Sequence, residues 1–491
     1  MNLRSLLHRA SVDSRIFVVL AFLGPFVARL LPELLMGPFM TGFDTVAYYV
    51  PRTLSWIQGG TSLVQIMAYP PLFYVLPVQL SLLGVPLTWS LKVLPPILLG
   101  LLGLAVYVYA RKALVWSHLE SLGVSCLATL YFVSLRISWD MLRSELGLIL
   151  FFVFLMLLHT NWEKKSWQSF LLSSLMVLVV LSHQLVALIM FSVVLVLGIQ
   201  KLSKNEHAAF GRLVVATLPS LAVFGLILGA DYVVSMGFST TSASQWFSLF
   251  EFSSFSDALI GTVGFWLFCF LPLLPFVWVG WKFFSSLELK TWVFWCLIGI
   301  LLGIGASSGL FPLSYRWTLL MSFPLAFFAI EGIKHFRFRR LKLFLSGVLI
   351  LLSFSFMFLP AGLAFPYFSL FPKYVPSSML QNSVPLSDCE DVVRVMSWYG
   401  QNVGASGTLL LHDAFSGWAD LYLNAGCRVV DYGYESPQAA AENLVADGPG
   451  RVYVIWWVPG EGWHGLSSLP SSFLEVFRSG RIAVYEYNNT A

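Results

Sequence analysis

Residues 88–110 read TWSLKVLPPILLGLLGLAVYVYA, with Lys92 as the one charge. An α-helix rises about 1.5 Å per residue, and roughly 20 apolar residues cross a hydrocarbon core. This stretch therefore predicts a transmembrane helix, and the same pattern recurs on both sides of it. Spans are expected near 16–37, 88–110, 121–139, 145–160, 167–182, 184–200, 210–230, 258–280, 291–308, 315–333 and 342–362. Two of them, 145–160 and 167–182, are short for a full crossing, so the count of about eleven holds to within one or two.

Composition agrees. Of 491 residues, 57% are hydrophobic, 16% aromatic and 11% charged, against roughly 25% charged in soluble domains. Mean hydropathy is +0.78. A soluble globular protein is excluded, because so few charges would not cover its surface. The net charge of +4 gives no reason to expect nucleic acid as a partner. The five cysteines show no metal-ligand spacing, so no zinc site is expected. The basic stretch 1–15 leads into the first apolar run without a small-residue cleavage site, which reads as a retained helix.

Lys and Arg in short loops set orientation. Alternate loops carry Arg111 and Lys112; Lys164 and Lys165; Lys201, Lys204 and Arg212; Lys282 and Lys290; and a final group from Lys334 to Lys342. The opposite loops carry only Arg52, Arg136, Arg143 and Arg316, with Lys92 near an interface. The expectation is a cytoplasmic N-terminus and an extracytoplasmic C-terminus.

Three outer segments stand out: 37–87, 136–145 and 231–257. The first holds Gly42-Phe43-Asp44-Thr45 and Tyr69-Pro70-Pro71-Leu72-Phe73-Tyr74, and its prolines favour short interfacial helices over one regular span. After Phe365 the composition changes. Pro366, Pro372 and Pro376 mark a linker, and apolar runs shrink to strand length at 408–412, 428–431, 452–457 and 482–485. Helical segments are expected between them at 388–401, 416–425, 436–446 and 470–478. The pattern predicts a transmembrane domain over 1–365 and a soluble α/β domain over 366–491. Cys389 and Cys427 fall in the latter, where a disulfide and buried free thiols are equally ordinary.

Ionisable groups near membrane depth are costly and so are candidates for function. Asp44, Arg52, Asp140, Arg143, Glu145, His183 and Arg316 come from different span ends, and alternating topology assigns them all to the outer face, where they could converge on one cleft. Asp44 reads equally as a helix N-cap or a general base. Arg316 reads as an interfacial anchor or as a phosphate clamp, for which a guanidinium fork is suited. His183, between two apolar runs, is more often structural. Asp140 and Arg143 suit either chemistry or a mutual pair across one helical turn. Arg29, Glu33 and Glu331 read as structural or snorkelling.

A first span that opens into a long outer loop beginning with an acid, followed by Tyr69-Pro70-Pro71-Leu72-Phe73-Tyr74 entering the second span, resembles the type C (GT-C) superfamily of membrane glycosyltransferases. These include protein mannosyltransferases and aminoarabinose transferases. The resemblance covers roughly 1–362 and is strongest over 38–110. It implies a polytopic α-helical fold of about 11 spans and transfer of a sugar from a polyprenyl-phosphate donor to an acceptor hydroxyl. The acceptor is a glycan, lipid or protein. Asp44 occupies the place of the catalytic acid, and Asp140 matches a second acid of the second outer loop. Many members have two adjacent acids at the first position; here Phe43 and Thr45 flank Asp44, so the need for a divalent metal stays open. Trp456-Trp457-Val458-Pro459-Gly460 does not match the oligosaccharyltransferase signature. Arg316, Arg143, Arg52 and His183 are the candidates for the leaving phosphate, and Tyr48 and Tyr74 for stacking on a sugar.

Two other classes compete. A secondary transporter would show related halves and broken helices at the midplane; no repeat relates the halves here. A non-catalytic relative that binds lipid-linked glycan is the second.

Overall fold

The computed structural model describes residues 14–40, 42, 45–160, 162, 166–237, 255–305, 314–336, 338–358, 384, 386–423, 426–432, 436–446, 450–461 and 468–488. They form two compact units. The first holds 14–35 and 61–358, and the second 36–60 and 384–488.

Among the described residues of the first unit the apolar runs are helical. The helices are α1 (Ser14–Leu35), α3 (Leu63–Ala68), α4 (Leu72–Leu82), α5 (Leu87–Lys112), α6 (His118–Leu130), α7 (Phe132–Asp140), α8 (Leu142–Leu158), α9 (Ser166–Ser182), α10 (Gln184–Ser203), α11 (His207–Gly237), α12 (Phe255–Phe270), α13 (Leu274–Phe283), α14 (Leu287–Gly305), α15 (Ser314–His335) and α16 (Arg339–Phe358). The short α2 (Val50–Ile57) belongs to the second unit. The expected short helices of 37–87 are thus present. Their starts follow local chemistry. Ser117 and Glu120 form a reciprocal capping box at α6, with Ser117 N donating to Glu120 Oε2 at 2.8 Å. Ser62 and Gln65 do the same at α3.

Among the described residues, five helices are long and apolar enough to cross a membrane: those of α1, α5, α10, α11 and α15. Two bent pairs raise this to seven if each is one span. Both pairs correct an expected continuous span. The 121–139 run breaks by 59° between α6 and α7, where Tyr131 is extended (φ −63°, ψ 137°) and its hydroxyl donates to the Cys269 carbonyl. The 258–280 run breaks by 78° between α12 and α13, at Leu271-Pro272-Leu273, where proline cannot donate to a helix ladder. Large apolar side chains such as Leu34, Val215, Leu226 and Leu301 stand exposed on the helices, as lipid-facing surfaces do. The chain is an integral membrane protein.

Helix contacts use small residues. A Cβ added to Gly103 of α5 would meet the Ala21 carbonyl oxygen of α1 at 2.4 Å, and one on Gly299 of α14 would meet the Trp317 ring of α15 at 2.5 Å. Without a hydrophobic drive between helices in lipid, such close approach is the main source of packing.

The second unit carries α17 (Cys389–Asn402), β1 (Gly407–Leu411), α18 (Asp413–Tyr422), β2 (Arg428–Asp431), α19 (Pro437–Ala446), β3 (Arg451–Trp457), β4 (Phe473–Ser479) and β5 (Ile482–Tyr487). The sheet order is β2-β1-β3-β5-β4. β1 runs parallel to β2 and β3, while β5 is antiparallel to β3 and β4. Leu409, Leu410, Val454, Ile455 and Val484 fill the centre with Val392, Val395 and Met396 of α17. The helix expected at 470–478 is instead strand β4. It turns back at Gly480 (φ +52°) and pairs with β5 from Phe473↔Tyr487 to Ser479↔Ile482. Cross-strand pairing there overrides a mixed apolar pattern. Cys389 and Cys427 are both free thiols.

Candidate functional site

Four of the candidate side chains, Tyr74, Arg143, His183 and Arg316, lie in the first unit. His183 interrupts the helical run between α9 and α10 in an extended conformation (φ −162°, ψ 127°). Its imidazole is buried, and the charges of Arg143 and Arg316 both act on it. Arg143 lies in the first turn of α8, with its guanidinium carbon 5.9 Å from the centroid of the Tyr74 ring on α4. Arg316 lies in the first turn of α15, and its Nε donates to the Tyr315 hydroxyl at 3.2 Å. The guanidinium carbon stands 5.8 Å from the centre of that ring. Gly147, one turn beyond Arg143, faces His183: a Cβ there would stand 3.4 Å from His183 Cβ, at ordinary contact distance. Two guanidinium groups whose charges act on one buried imidazole, drawn from separate helices of an apolar bundle, are groups that can take an anion. Guanidinium forks can grip phosphate oxygens in pairs.

Asp140 is the last residue of α7. The chain leaves the helix at Met141 (φ −103°, ψ 50°) and restarts at Leu142. Asp140 and Arg143 therefore do not share a helical turn.

The second unit holds Arg52 and Tyr48. A π-helical turn, Thr45–Tyr49, runs into α2. Four residues apart, Arg52 Nη1 donates to the Tyr48 hydroxyl at 2.5 Å and its guanidinium carbon lies 4.6 Å from the ring centre. Val46, Tyr49 and Val50 are buried, and the turn packs against α18, with Phe39 and Trp418 at 6.4 Å between ring centres. The first outer segment is thus bedded on the C-terminal α/β fold, a long-range pairing with no local signal in the sequence. Asp44 itself lies outside the described residues. Its described neighbours are Gly42, which needs a positive φ of 101°, and Thr45.

Sequence reasoning also underread a buried charge network. Arg29 Nη1 lies 2.7 Å from Glu33 Oε1, and Glu33 Oε2 lies 3.3 Å from Lys92 Nζ. All three are buried, so Arg29 and Glu33 do not snorkel to an interface. Their i,i+4 spacing with opposite charge was the available signal. Glu145 is buried as well, under the influence of the Arg29 charge. Glu331, which has the same two readings in the sequence, pairs with Lys334 at 2.7 Å.

In the α/β fold His412 caps α18, its Nδ1 accepting from Ala414 N at 3.1 Å. Burial pushes its pKa down to about 4, and Asp431 opposes the shift. The unprotonated ring is the form that can accept this bond.

No family model matches the chain, and no curated protein matches it. Among solved structures, the cryo-EM structure of the arabinofuranosyltransferase AftD from Mycobacteria is similar, at 12% identity and a TM-score of 0.43. The alignment covers 97% of this chain and 40% of that one.

Proposed function

We propose that this chain is a membrane glycosyltransferase that moves a sugar from a polyprenyl-phosphate donor to an acceptor hydroxyl on the extracytoplasmic side. The observation that supports the reading is that the charges of Arg143 and Arg316, each in the first turn of its helix, act on the buried His183, with Arg143 5.9 Å from the Tyr74 ring centroid. Charges at membrane depth are retained where they meet a ligand or each other, and a lipid-linked phosphate is an anion that arrives through the bilayer.

In this reaction the acceptor oxygen attacks the anomeric carbon as its proton passes to Asp44. The bond from that carbon to the phosphate oxygen breaks through an oxocarbenium-like transition state. Polyprenyl phosphate leaves with one more negative charge, and Arg316 and Arg143 stabilise that charge as it develops. His183 adds a hydrogen bond to the same group. Asp140 acts as the second acid near the reacting sugar. Arg52 orients Tyr48, and Tyr48 and Tyr74 offer ring faces to the sugar. The α/β fold stands on the same side of the membrane as the acceptor, with the N-terminus cytoplasmic.

The test is reconstitution in vesicles with a panel of polyprenyl-phosphate sugars, comparing wild type with Asp44→Asn and Arg316→Gln, each with and without a chelator. Sugar transfer by wild type and its loss in both variants is expected. Binding of the lipid donor without turnover by any protein would replace the enzyme with a lipid-glycan binding protein. Failure to bind or turn over any such donor would end this reading.

A further inference from the structure

We infer that Arg29 is a positioning residue for Asp140; the inference rests on the role proposed above for Asp140. The last carbonyls of a helix have no partner within it, and the helix end carries partial negative charge. α7 ends at Asp140. In its last turn the Ser138 carbonyl accepts a bond at 3.3 Å from Nε of Arg29, a residue of α1. The same guanidinium lies flat against the next side chain, 4.0 Å from the centre of the Trp139 ring. Arg29 thus holds both residues that precede Asp140. Its charge also reaches Glu145, beyond the break at Met141, so it acts on both sides of the point where the chain turns from α7 to α8.

Arg29 is itself fixed. Glu33 holds it at 2.7 Å, and Lys92 of α5 holds Glu33 at 3.3 Å. Arg29, Glu33, Trp139 and Lys92 are all buried, so water does not compete for these contacts. Apolar side chains would join three helices as well as buried ions do. What the guanidinium adds is direction: a donor aimed at one carbonyl and a flat face on one ring. A group needed in a defined place benefits from such support, because an error of about 1 Å can cost on the order of 100-fold in rate.

The experiment compares Arg29→Gln, Arg29→Lys, Asp140→Asn and the Arg29→Gln/Asp140→Asn double variant in the full-length protein. The readouts are kcat and KM for the donor that wild type uses, and hydrogen exchange of every helix. Arg29→Gln is expected to lower kcat roughly 10- to 100-fold with KM within about twofold, and to speed exchange over 132–141 alone. Arg29→Lys, which keeps the charge but not the fork, is expected to recover part of the rate. The double variant is expected to be no slower than Asp140→Asn. An unchanged kcat in Arg29→Gln, multiplied losses in the double variant, or faster exchange through all helices would overturn the inference. A fully active Asp140→Asn would overturn it together with the role of Asp140, leaving glycosyl transfer standing. If wild type uses no donor, the functional reading falls, and confinement of the exchange change to 132–141 decides the positioning.

Discussion

Gly280 of α13 and Gly332 of α15 stand back to back. A Cβ on Gly280 would fall 2.8 Å from Gly332 N and 1.8 Å from the Phe328 carbonyl oxygen, and one on Gly332 would fall 1.8 Å from the Phe276 carbonyl oxygen. Backbone is what each new methyl would strike, so neither helix can yield without separating. Gly280→Ala and Gly332→Ala should each destabilise the protein by about 1–3 kcal/mol. Thermal unfolding in detergent checks this, with Gly229→Ala as a control, since nothing lies within 4 Å of a Cβ there. Wild-type stability in the first two variants would show that the contact is looser than the structure has it.

Arg316 and Arg143 differ in what holds them, and their variants should differ accordingly. Arg316 is tied to the neighbouring Tyr315 hydroxyl, and Arg143 faces the Tyr74 ring. If both grip a leaving phosphate, Arg316→Gln and Arg143→Gln should each lower kcat by about 100-fold or more, the range seen when one stabiliser of developing charge is lost. Lysine at either position should restore less than half of the lost activation free energy, because a point charge lacks the paired donors. Steady-state kinetics on reconstituted protein decides. A loss confined to KM would assign the arginines to ground-state binding alone.

His412 makes the α/β fold sensitive to acid. The folded group has a pKa of about 4 against an ordinary 6.5. The unfolded chain therefore takes up a proton that the folded chain refuses between these values. Stability from the neutral ring is complete above pH 6.5 and is lost as pH falls towards 4, by about 3 kcal/mol. Asparagine also caps helices well, so His412→Asn should keep α18 and flatten this slope. Hydrogen exchange of 413–422 in the full-length protein between pH 4 and 7, corrected for intrinsic rates, tests it. Equal slopes in the two proteins would remove His412 as the cause.

Apolar runs are readable because lipid demands them, and the described part of each expected run is mostly helical. Alternation of the runs groups Arg143, His183 and Arg316 at the same side, and the charges of both arginines act on the His183 ring. The breaks at Tyr131 and Leu271-Pro272-Leu273 were less readable, since hydropathy does not register a change of direction. β4 was misread because Phe473-Leu474-Glu475-Val476-Phe477 lacks clean alternation, and only its pairing with β5, bulged between Glu475 and Phe477, makes it a strand. The bedding of 45–57 against α18 joins residues more than 350 positions apart, and no local pattern announces it. Lys92 likewise gave no sign of Glu33, its partner 59 positions away.

A buried carboxylate stands at the start of α17. Asp388 is only 1% exposed. It accepts from Trp457 Nε1 at 3.2 Å, from Ser387 Oγ at 3.0 Å and from Arg481 Nε at 2.9 Å. These bonds tie the entry of the α/β fold to β3 and to the β4–β5 turn. Arg481 is half exposed, so solvent screens its direct attraction for Asp388. Removing it still leaves a buried carboxylate short of donors, which costs more than the attraction alone. Arg481→Ala should therefore destabilise the fold by about 1–3 kcal/mol, and Asp388→Asn, which keeps an acceptor and sheds the charge, by less. In the double variant Arg481→Ala/Asp388→Asn the two losses should not add, because the orphaned charge is gone. Exchange protection of β3 and β5 in all three variants provides the cycle, and strict additivity would mean that Asp388 and Arg481 act independently.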